Sequence, residues 1–300
     1  MKRRGFGKTA PFLSSRGTFM AANVSDIVQV MEVIAPAHLA EEWDNVGLQI
    51  GDHRWLVKTL AVALDASLQT IEESHNKNAD MLISHHPLLF RPLTAIHFHT
   101  PIGSIIQRAV QYQMAVFAAH TNLDKTEGGL NDLFARRIGL QNLKVLQISG
   151  VSGNTGQTVN QLLDLECVQG IGRVGDLKQA IELQNLAANI KKDLNLQKVK
   201  FAGKPDLVIT KAAVCTGSGS DLLKSFYASG AQAYISGDLK YHDARDIEAA
   251  GLGIIDIGHF ASEHIVVAEL VKRLRTIFAE RQLEVDVFAC EIEEDPFVMI

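Results

Sequence analysis

Cysteine is scarce in this sequence, and its spacing excludes two classes of protein. The 300 residues include three cysteines, Cys167, Cys215 and Cys290, which are far apart and form no CxxC pair. A disulfide framework and a cysteine-built zinc site both need several cysteines in a characteristic spacing, so both are excluded. Isolated cysteines suit a reducing compartment, and we therefore predict a cytoplasmic protein.

Long apolar runs and positive net charge are also absent. No uninterrupted apolar stretch approaches the roughly 20 residues that a membrane-spanning helix needs, so we expect no membrane association. The net charge of −5 gives no global positive field, which disfavours nucleic acid as a partner. An apolar fraction of 47% is ordinary for a globular protein with a sizeable core.

The first nineteen residues differ from the rest of the chain. They carry five basic residues and no acidic residue, and they lack the apolar central run of a signal peptide. A mitochondrial presequence fits this charge pattern only loosely. We interpret residues 1–19 as a disordered or non-native extension, because Met20 opens a well-patterned segment.

Strand patterns alternate with helical patterns along residues 20–300. Residues 24–34 have apolar residues at helical spacing with Ser25 as N-cap, and buried strands are predicted at 57–65, 79–84 and 114–119. The same alternation continues in the second half. We therefore predict an α/β fold of mixed, largely parallel sheets flanked by helices, in two lobes of about 20–145 and 146–300.

Ligand-type side chains follow three of the predicted strands. The strand at 79–84 is followed by His85 and His86, and the strand at 114–119 by His120 and Asp124. The strand at 254–257 is followed by His259, and Glu263 comes four residues later. Open α/β sheets bind ligands at the carboxyl ends of their strands, so these side chains are expected to meet.

The donor types indicate which ligand would bind there. Any one of these histidines alone is equally explained as a turn or core residue, but three strand ends in succession favour a metal site. Imidazole and carboxylate donors suit zinc, iron, manganese, nickel or cobalt and do not discriminate well among them. Because one catalytic ion takes about three protein ligands, a set of this size is best used by two divalent ions.

Two glycine-rich stretches carry weaker signals. Gly170–Gly175 matches GxGxxG, but no clean apolar strand precedes it, so a turn and an edge strand are predicted in place of a dinucleotide site. The turn at 216–220 has no Lys-Ser/Thr to complete a P-loop. Near a further polar strand end at 236–243, His242 is predicted either to carry protons near the metals or to hydrogen-bond a ligand carboxylate.

Four motifs in fixed order resemble those of the GTP cyclohydrolase I type 2 homologues, also called Ngg-interacting-factor-three-like proteins. They are EEWDNVGLQIG at 41–51, ISHHPLLF at 83–90, AHTNLD at 119–124 followed by Gly128–Asn131, and GHFASEH at 258–264. The resemblance covers about residues 20–290. This chain is too short to carry in full the middle domain that some members contain.

The resemblance implies a fold, a metal site and an assembly. It implies a two-lobed α/β chain in a toroidal homohexamer, with two metal ions per subunit facing an inner cavity. The ligands that it implies are His85, His86, Asp124, His259 and Glu263, and His120 then lies behind them.

The expected function is that of a hydrolase in which metal-activated water attacks a nucleotide-like or cyclic-amide small molecule, while Glu263 or His242 moves protons. The alternative is a non-catalytic metal-binding, metal-chaperone or regulatory scaffold protein.

Overall fold

The computed structural model describes residues 20–149 and 169–298. The predicted extension at 1–19 lies outside these residues. Within them, no helix combines the length and the apolar character that crossing a membrane requires.

Thirteen strands and ten α-helices are described, with two short 3-10 turns at Ala37–Leu39 and Ser220–Leu222. The strands are β1 (Ala22–Asn23), β2 (Gly47–Ile50), β3 (Leu56–Val57), β4 (Thr59–Ala63), β5 (Met81–Ser84), β6 (Ala115–Ala118), β7 (Leu140–Ile148), β8 (Gly170–Glu182), β9 (Lys200–Ala202), β10 (Val208–Ser218), β11 (Ala233–Gly237), β12 (Gly253–Asp256) and β13 (Asp286–Ala289). The helices are α1 (Val24–Ile34), α2 (Leu68–Asn76), α3 (Pro101–Gln111), α4 (Thr121–Lys125), α5 (Leu130–Arg137), α6 (Leu183–Asp193), α7 (Leu223–Ala228), α8 (Tyr241–Ala249), α9 (His259–Glu263) and α10 (Ile265–Glu280).

The first sheet is largely parallel and buried on both faces. Its order is β13-β4-β5-β6-β2, in which only the β2–β6 pair is antiparallel. Alternate residues of β4 and β5 enter two different cores: Leu60 and Ile83 face α1 and α10, whereas Ala61 and Leu82 face α2 and α3. Burial on both faces explains the continuous apolar runs from which these strands were predicted.

The second sheet is mixed. Its order is β7-β8-β10-β11-β12-β9, with a parallel centre of β10, β11 and β12 and antiparallel pairs outside it. The predicted α/β class with mixed sheets is therefore confirmed. The prediction of an edge strand at Gly170–Gly175 is wrong, because β8 pairs with β7 on one side and with β10 on the other.

The N-terminal cap of α1 also differs from the prediction. Asn23, not Ser25, is the N-cap: its side chain accepts from the Asp26 amide, and the Asp26 carboxylate accepts from the Asn23 amide. This reciprocal pair is a capping box. Both residues are acceptable caps by type, and the turn from β1 decides between them.

Each of the two large sheets includes one strand from the other half of the chain. The strand β7 begins at Leu140 and already belongs to the second sheet, whereas β13 near the C-terminus returns to the first sheet beside β4. The division into lobes at about residue 145 stays a prediction. Sheet membership places β13 with the N-terminal half of the chain.

A buried ion pair joins α5 to the second sheet. Arg173 on β8 and Asp132 on α5 are 4% and 5% exposed, and Arg173 Nη2 lies 2.7 Å from Asp132 Oδ2. The guanidinium also donates to the carbonyls of Gly170 and Gly172. Removing one partner leaves the other charge buried without compensation.

We expect Arg173→Met to lower the free energy of unfolding by about 3–5 kcal/mol, the cost of breaking a buried ion pair. Urea denaturation followed by circular dichroism measures this change. The control is Arg245→Met, which removes an exposed pair with Glu248 and is expected to cost less than about 1 kcal/mol. Equal losses in the two variants would contradict the assignment of a structural role to the buried pair.

Candidate metal centre

The predicted ligand-type residues lie at the carboxyl ends of strands in both sheets. His85 and His86 directly follow β5, and Asp124 lies in the short helix α4 just beyond β6. His259 and Glu263 begin and end α9, which follows β12 of the second sheet. The ends of the two sheets meet here, which brings His85, His86 and Asp124 together with His259 and Glu263.

The carboxylate of Glu263 is the point on which three histidines converge. Its Oε2 atom lies 2.9 Å from His86 Nε2 and 2.9 Å from His259 Nε2. Its Oε1 atom lies 3.8 Å from His85 Nε2. Glu263 is 3% exposed, so its charge depends on these neighbours and not on water.

Each of these three histidines is fixed through its other ring nitrogen. Nδ1 of His86 bonds to Asp65 Oδ1 at 2.9 Å, Nδ1 of His259 bonds to Asp238 Oδ2 at 2.8 Å, and Nδ1 of His85 lies 2.8 Å from the Ala119 carbonyl. All three therefore direct Nε2 toward the centre. Metal-binding histidines in proteins are held in this way, by a carboxylate or carbonyl on the nitrogen that does not bind the metal.

Strand register places these anchoring residues. Ala63 of β4 pairs with Ser84 of β5, so Asp65 lies beside His86 where both strands end. Likewise Ser236 of β11 pairs with Asp256 of β12, which puts Asp238 close to His259. Sequence analysis missed both carboxylates, although each follows a strand end as the histidines do. Reading acidic residues at strand ends as histidine partners would have found them.

We refer to the five predicted ligands, His85, His86, Asp124, His259 and Glu263, as the metal-ligand cluster. Two buried atoms of this cluster have no hydrogen-bond partner among the described residues: His85 Nε2 and Asp124 Oδ1. They lie 3.7 Å apart, too far for a direct hydrogen bond. Leaving such groups unpaired in the interior costs free energy unless something else satisfies them. A cation between imidazole and carboxylate donors fits this need, and the donor chemistry is that of a divalent transition metal or zinc.

The contacts between Glu263 and the histidine rings shift the pKa values of both. Burial opposes ionisation of Glu263, yet the surrounding histidines hold its pKa well below the usual range. Burial also disfavours the charged form of His86, but bonds to Asp65 and Glu263 outweigh it and raise its pKa to about 10. The bond to Glu263 is the largest cause that raises the pKa of His259 to about 9. The buried Glu263 carboxylate thus attracts positive charge, from protons or from metal ions.

Donor atoms of the cluster and of the neighbouring His120 form two overlapping groups that could hold a metal ion. His86, His259 and Glu263 form one, and His85, His86 and His120 form the other, with donor atoms within 4.8 Å of one another in each group. Asp124 is in neither group. The buried Asp44 holds the His120 ring through a 2.9 Å contact to Nδ1, so His120 is positioned like the other three histidines. Its predicted place behind the ligands stays a prediction.

His242, predicted as a proton carrier, lies exposed in the first turn of α8. Its ring packs edge-on against Tyr241, with ring centroids 5.4 Å apart. From the same polar stretch, Asp238 is the side chain that contacts the cluster. A proton-carrying role for His242 stays a prediction.

A glycine on β10 makes room for the central carboxylate. Gly217 has φ of +66°, and its amide donates to Ser262 Oγ at 2.8 Å. A Cβ at this position would overlap Glu263 Oε1 and press on His259 Nε2. Gly217 belongs to the glycine-rich stretch at 216–220 noted in the sequence and lies near the end of β10. The absence of a side chain there lets the Glu263 carboxylate pack against this strand.

Comparison with known proteins identifies relatives of the whole chain. The family model Duf34/NIF3 (NGG1p interacting factor 3) matches residues 22–296. A protein of Clostridium acetobutylicum named GTP cyclohydrolase 1 type 2 homolog is 31% identical over 278 residues, covering 93% of this chain and 99% of the relative. The protein of the same name in Clostridium perfringens is 32% identical over 277 residues, covering 92% of this chain and 99% of its own.

Solved structures share the fold. A Bacillus cereus protein related to NIF3 superposes with a TM-score of 0.83 at 27% identity, covering 93% of this chain and 99% of its own. Reduced HcgD from Methanocaldococcus jannaschii superposes with a TM-score of 0.72 at 28% identity, covering 91% and 100%.

We expect Gly217→Ala to weaken the binding of added Zn²⁺ or Mn²⁺ at least tenfold, because the new Cβ displaces the Glu263 carboxylate. Isothermal titration calorimetry measures the affinity. The matched control is Gly230→Ala, which meets the same left-handed backbone strain at φ +71° but has nothing within 4 Å of its Cβ. Equal affinity in both variants would show that Glu263 does not need its present position to hold a metal.

Proposed function

This chain belongs to the Duf34/NIF3 family, and from that premise we propose that it is a dinuclear metal-binding protein that acts as a metal-dependent hydrolase. The observation that carries the proposal is a facing pair of buried atoms, His85 Nε2 and Asp124 Oδ1, which have no hydrogen-bond partner within residues 20–149 and 169–298. The name of the clostridial relatives supports a GTP-like substrate. We propose a nucleotide-like or cyclic-amide small molecule as the substrate class.

Five side chains would hold the two ions: His85, His86, Asp124, His259 and Glu263. Glu263 is the candidate to serve both ions, because its two oxygens contact histidines from both sheets. Zinc, iron, manganese, nickel and cobalt are all compatible with these donors.

The bound ions would supply Lewis acidity and a water acidified to ionise near neutral pH. The protein's part is to fix the donors and to move protons. Asp65 and Asp238 hold the rings of His86 and His259 in orientation, which preserves the site between turnovers. Glu263 is the proposed proton acceptor at the centre, and His242 is the proposed carrier at the surface.

We further propose that the chain assembles into a toroidal homohexamer. The support for this assembly is the resemblance carried by the four sequence motifs. Light scattering on the purified full chain measures the mass of the assembly.

We expect two divalent ions per chain when the protein is purified without chelators or an affinity nickel column. His85→Ala and Glu263→Ala should each reduce this content to one ion or fewer, because each removes a donor from the buried centre. Inductively coupled plasma mass spectrometry counts the ions.

His97→Ala is the control for metal content, since His97 lies exposed in the loop after β5. It should retain both ions. Wild-type protein that stays metal-free after reconstitution with each of the five metals would contradict the dinuclear centre.

We expect saturable hydrolysis of at least one member of a panel of nucleotides and cyclic amides by the metal-loaded protein. Chelation should abolish turnover, and Glu263→Gln should lower kcat/KM by about 10²-fold or more, the usual scale for a group that transfers protons. Chromatography of the products measures the rate. Full metal occupancy without turnover across the panel would favour the non-catalytic metal-binding or regulatory alternative.

A further inference from the structure

The proposed hydrolysis gives no role to a cavity that lies beside the metal-ligand cluster. We propose that this cavity recognises the planar heteroaromatic ring of an anionic substrate, which stacks on Trp43 and Phe90 while its anionic group contacts Arg91. This inference rests on the proposed function, because it assigns the substrate class of the same centre.

The cavity has the size and lining of a small-molecule site. Its volume is about 810 Å³, and its walls come from residues 43–50 and from the loop at 89–96 that follows the histidine pair. Sites for small molecules in proteins typically measure about 300–1,000 Å³ and are lined mainly by apolar and aromatic side chains. Leu89, Leu93 and Ile96 give this cavity such a lining.

Two large aromatic rings stand at the cavity with much of their surface open to solvent. Trp43 is 59% exposed and Phe90 is 46% exposed, and their ring centroids are 5.6 Å apart with planes tilted by 57°. Exposing both rings together is unfavourable in water, and each offers a face to a flat ligand. Aromatic side chains stack on nucleobases of any type, because every base has a π face.

The two aromatic rings of the cavity also contact His120, which lies next to the metal-ligand cluster. The His120 ring packs edge-on against both Trp43 and Phe90, with centroids 6.1 Å and 6.5 Å away. On its other side the same ring lies 5.2 Å from His85 and 5.5 Å from His86. A ring bound against Trp43 and Phe90 is therefore separated from the ligand cluster by a single imidazole.

Hydrogen bonds tie the two walls together before any ligand arrives. Asn45 Nδ2 donates to the Leu89 carbonyl at 2.6 Å, and the Leu89 amide donates to Gln49 Oε1 at 2.7 Å. These bonds join one wall of the cavity to the other. A preformed site loses less conformational freedom on binding than a mobile one.

One cationic side chain at the cavity can bind an anionic group. Two charged side chains line it among the described residues, Asp44 and Arg91. The Asp44 carboxylate already accepts from His120, from the Thr121 amide at 3.0 Å and from the Asn45 amide at 2.8 Å. Arg91 is exposed, and its guanidinium can take a phosphate or carboxylate in two parallel hydrogen bonds.

The test is calorimetry on the metal-loaded full chain with guanosine 5′-monophosphate, guanosine and ribose 5-phosphate. Trp43→Ala should raise the Kd for the monophosphate at least tenfold, whereas Phe98→Ala should change it less than twofold. Phe98 is an exposed aromatic residue that follows in the same chain segment and does not line the cavity. Arg91→Met should weaken binding of the monophosphate while leaving the affinity for guanosine unchanged.

Several results would overturn the ring-binding site. These are the absence of binding to wild type, an unchanged Kd in Trp43→Ala, or equal affinity for ribose 5-phosphate and the monophosphate. In a Trp55→Phe background, Trp43 emission that responds to protein concentration but not to nucleotide would assign the face to a second copy of the chain.

Binding and hydrolysis are distinguishable, since calorimetry needs no turnover. Wild type that binds the monophosphate through Trp43 but hydrolyses nothing would support the ring-binding site and reject the hydrolase. Hydrolysis of a nucleotide with the same KM in wild type and Trp43→Ala would do the reverse.

Discussion

The buried carboxylate of Glu263 is the interaction on which the rest of the centre depends. A charge that is 3% exposed is tolerated only when it is paired and hydrogen-bonded or binds a metal. Its partners are His85 and His86 from the first sheet and His259 from its own helix. The two sheets therefore have to meet with their strand ends facing each other, or this carboxylate keeps only His259 as a partner.

The residues behind the cluster make this arrangement rigid. Two carboxylates and one backbone carbonyl fix the outer nitrogens of the three histidines, and Gly217 leaves space where a side chain would push Glu263 away. Each of these supports comes from a strand or from the residues that directly follow one. A site built on strand ends is held by the hydrogen bonds of the sheet, which suits a centre that must keep several donors in place at once.

The cavity and the cluster form one continuous surface through His120. Asp44 holds this ring through Nδ1, and the ring packs near Trp43 and Phe90 of the cavity and near His85 of the cluster. Recognition of a flat ligand and chemistry at the cluster are thus placed side by side. The EEWDNVGLQIG and ISHHPLLF motifs, which supply Trp43 and Phe90 of the cavity, also supply Asp44 and the histidine pair.

The sequence alone predicted most of the strands and helices and the polar residues that follow them, because apolar periodicity and the change to polar residues are local properties. It misplaced the N-cap of α1 and took β8 for an edge strand, because the turn from β1 and the pairing of the strands decide these features. It indicated His85, His86, Asp124, His259 and Glu263 together. Tertiary structure decided which of them touch: His86 and Glu263 are 177 residues apart in the chain, and only the packing of the two sheets brings them to 2.9 Å. The roles of Asp65, Asp238 and Gly217 were likewise set by strand register and close packing. Asp65 and Asp238 each follow a strand end, but the histidine that each one contacts depends on which strands pair.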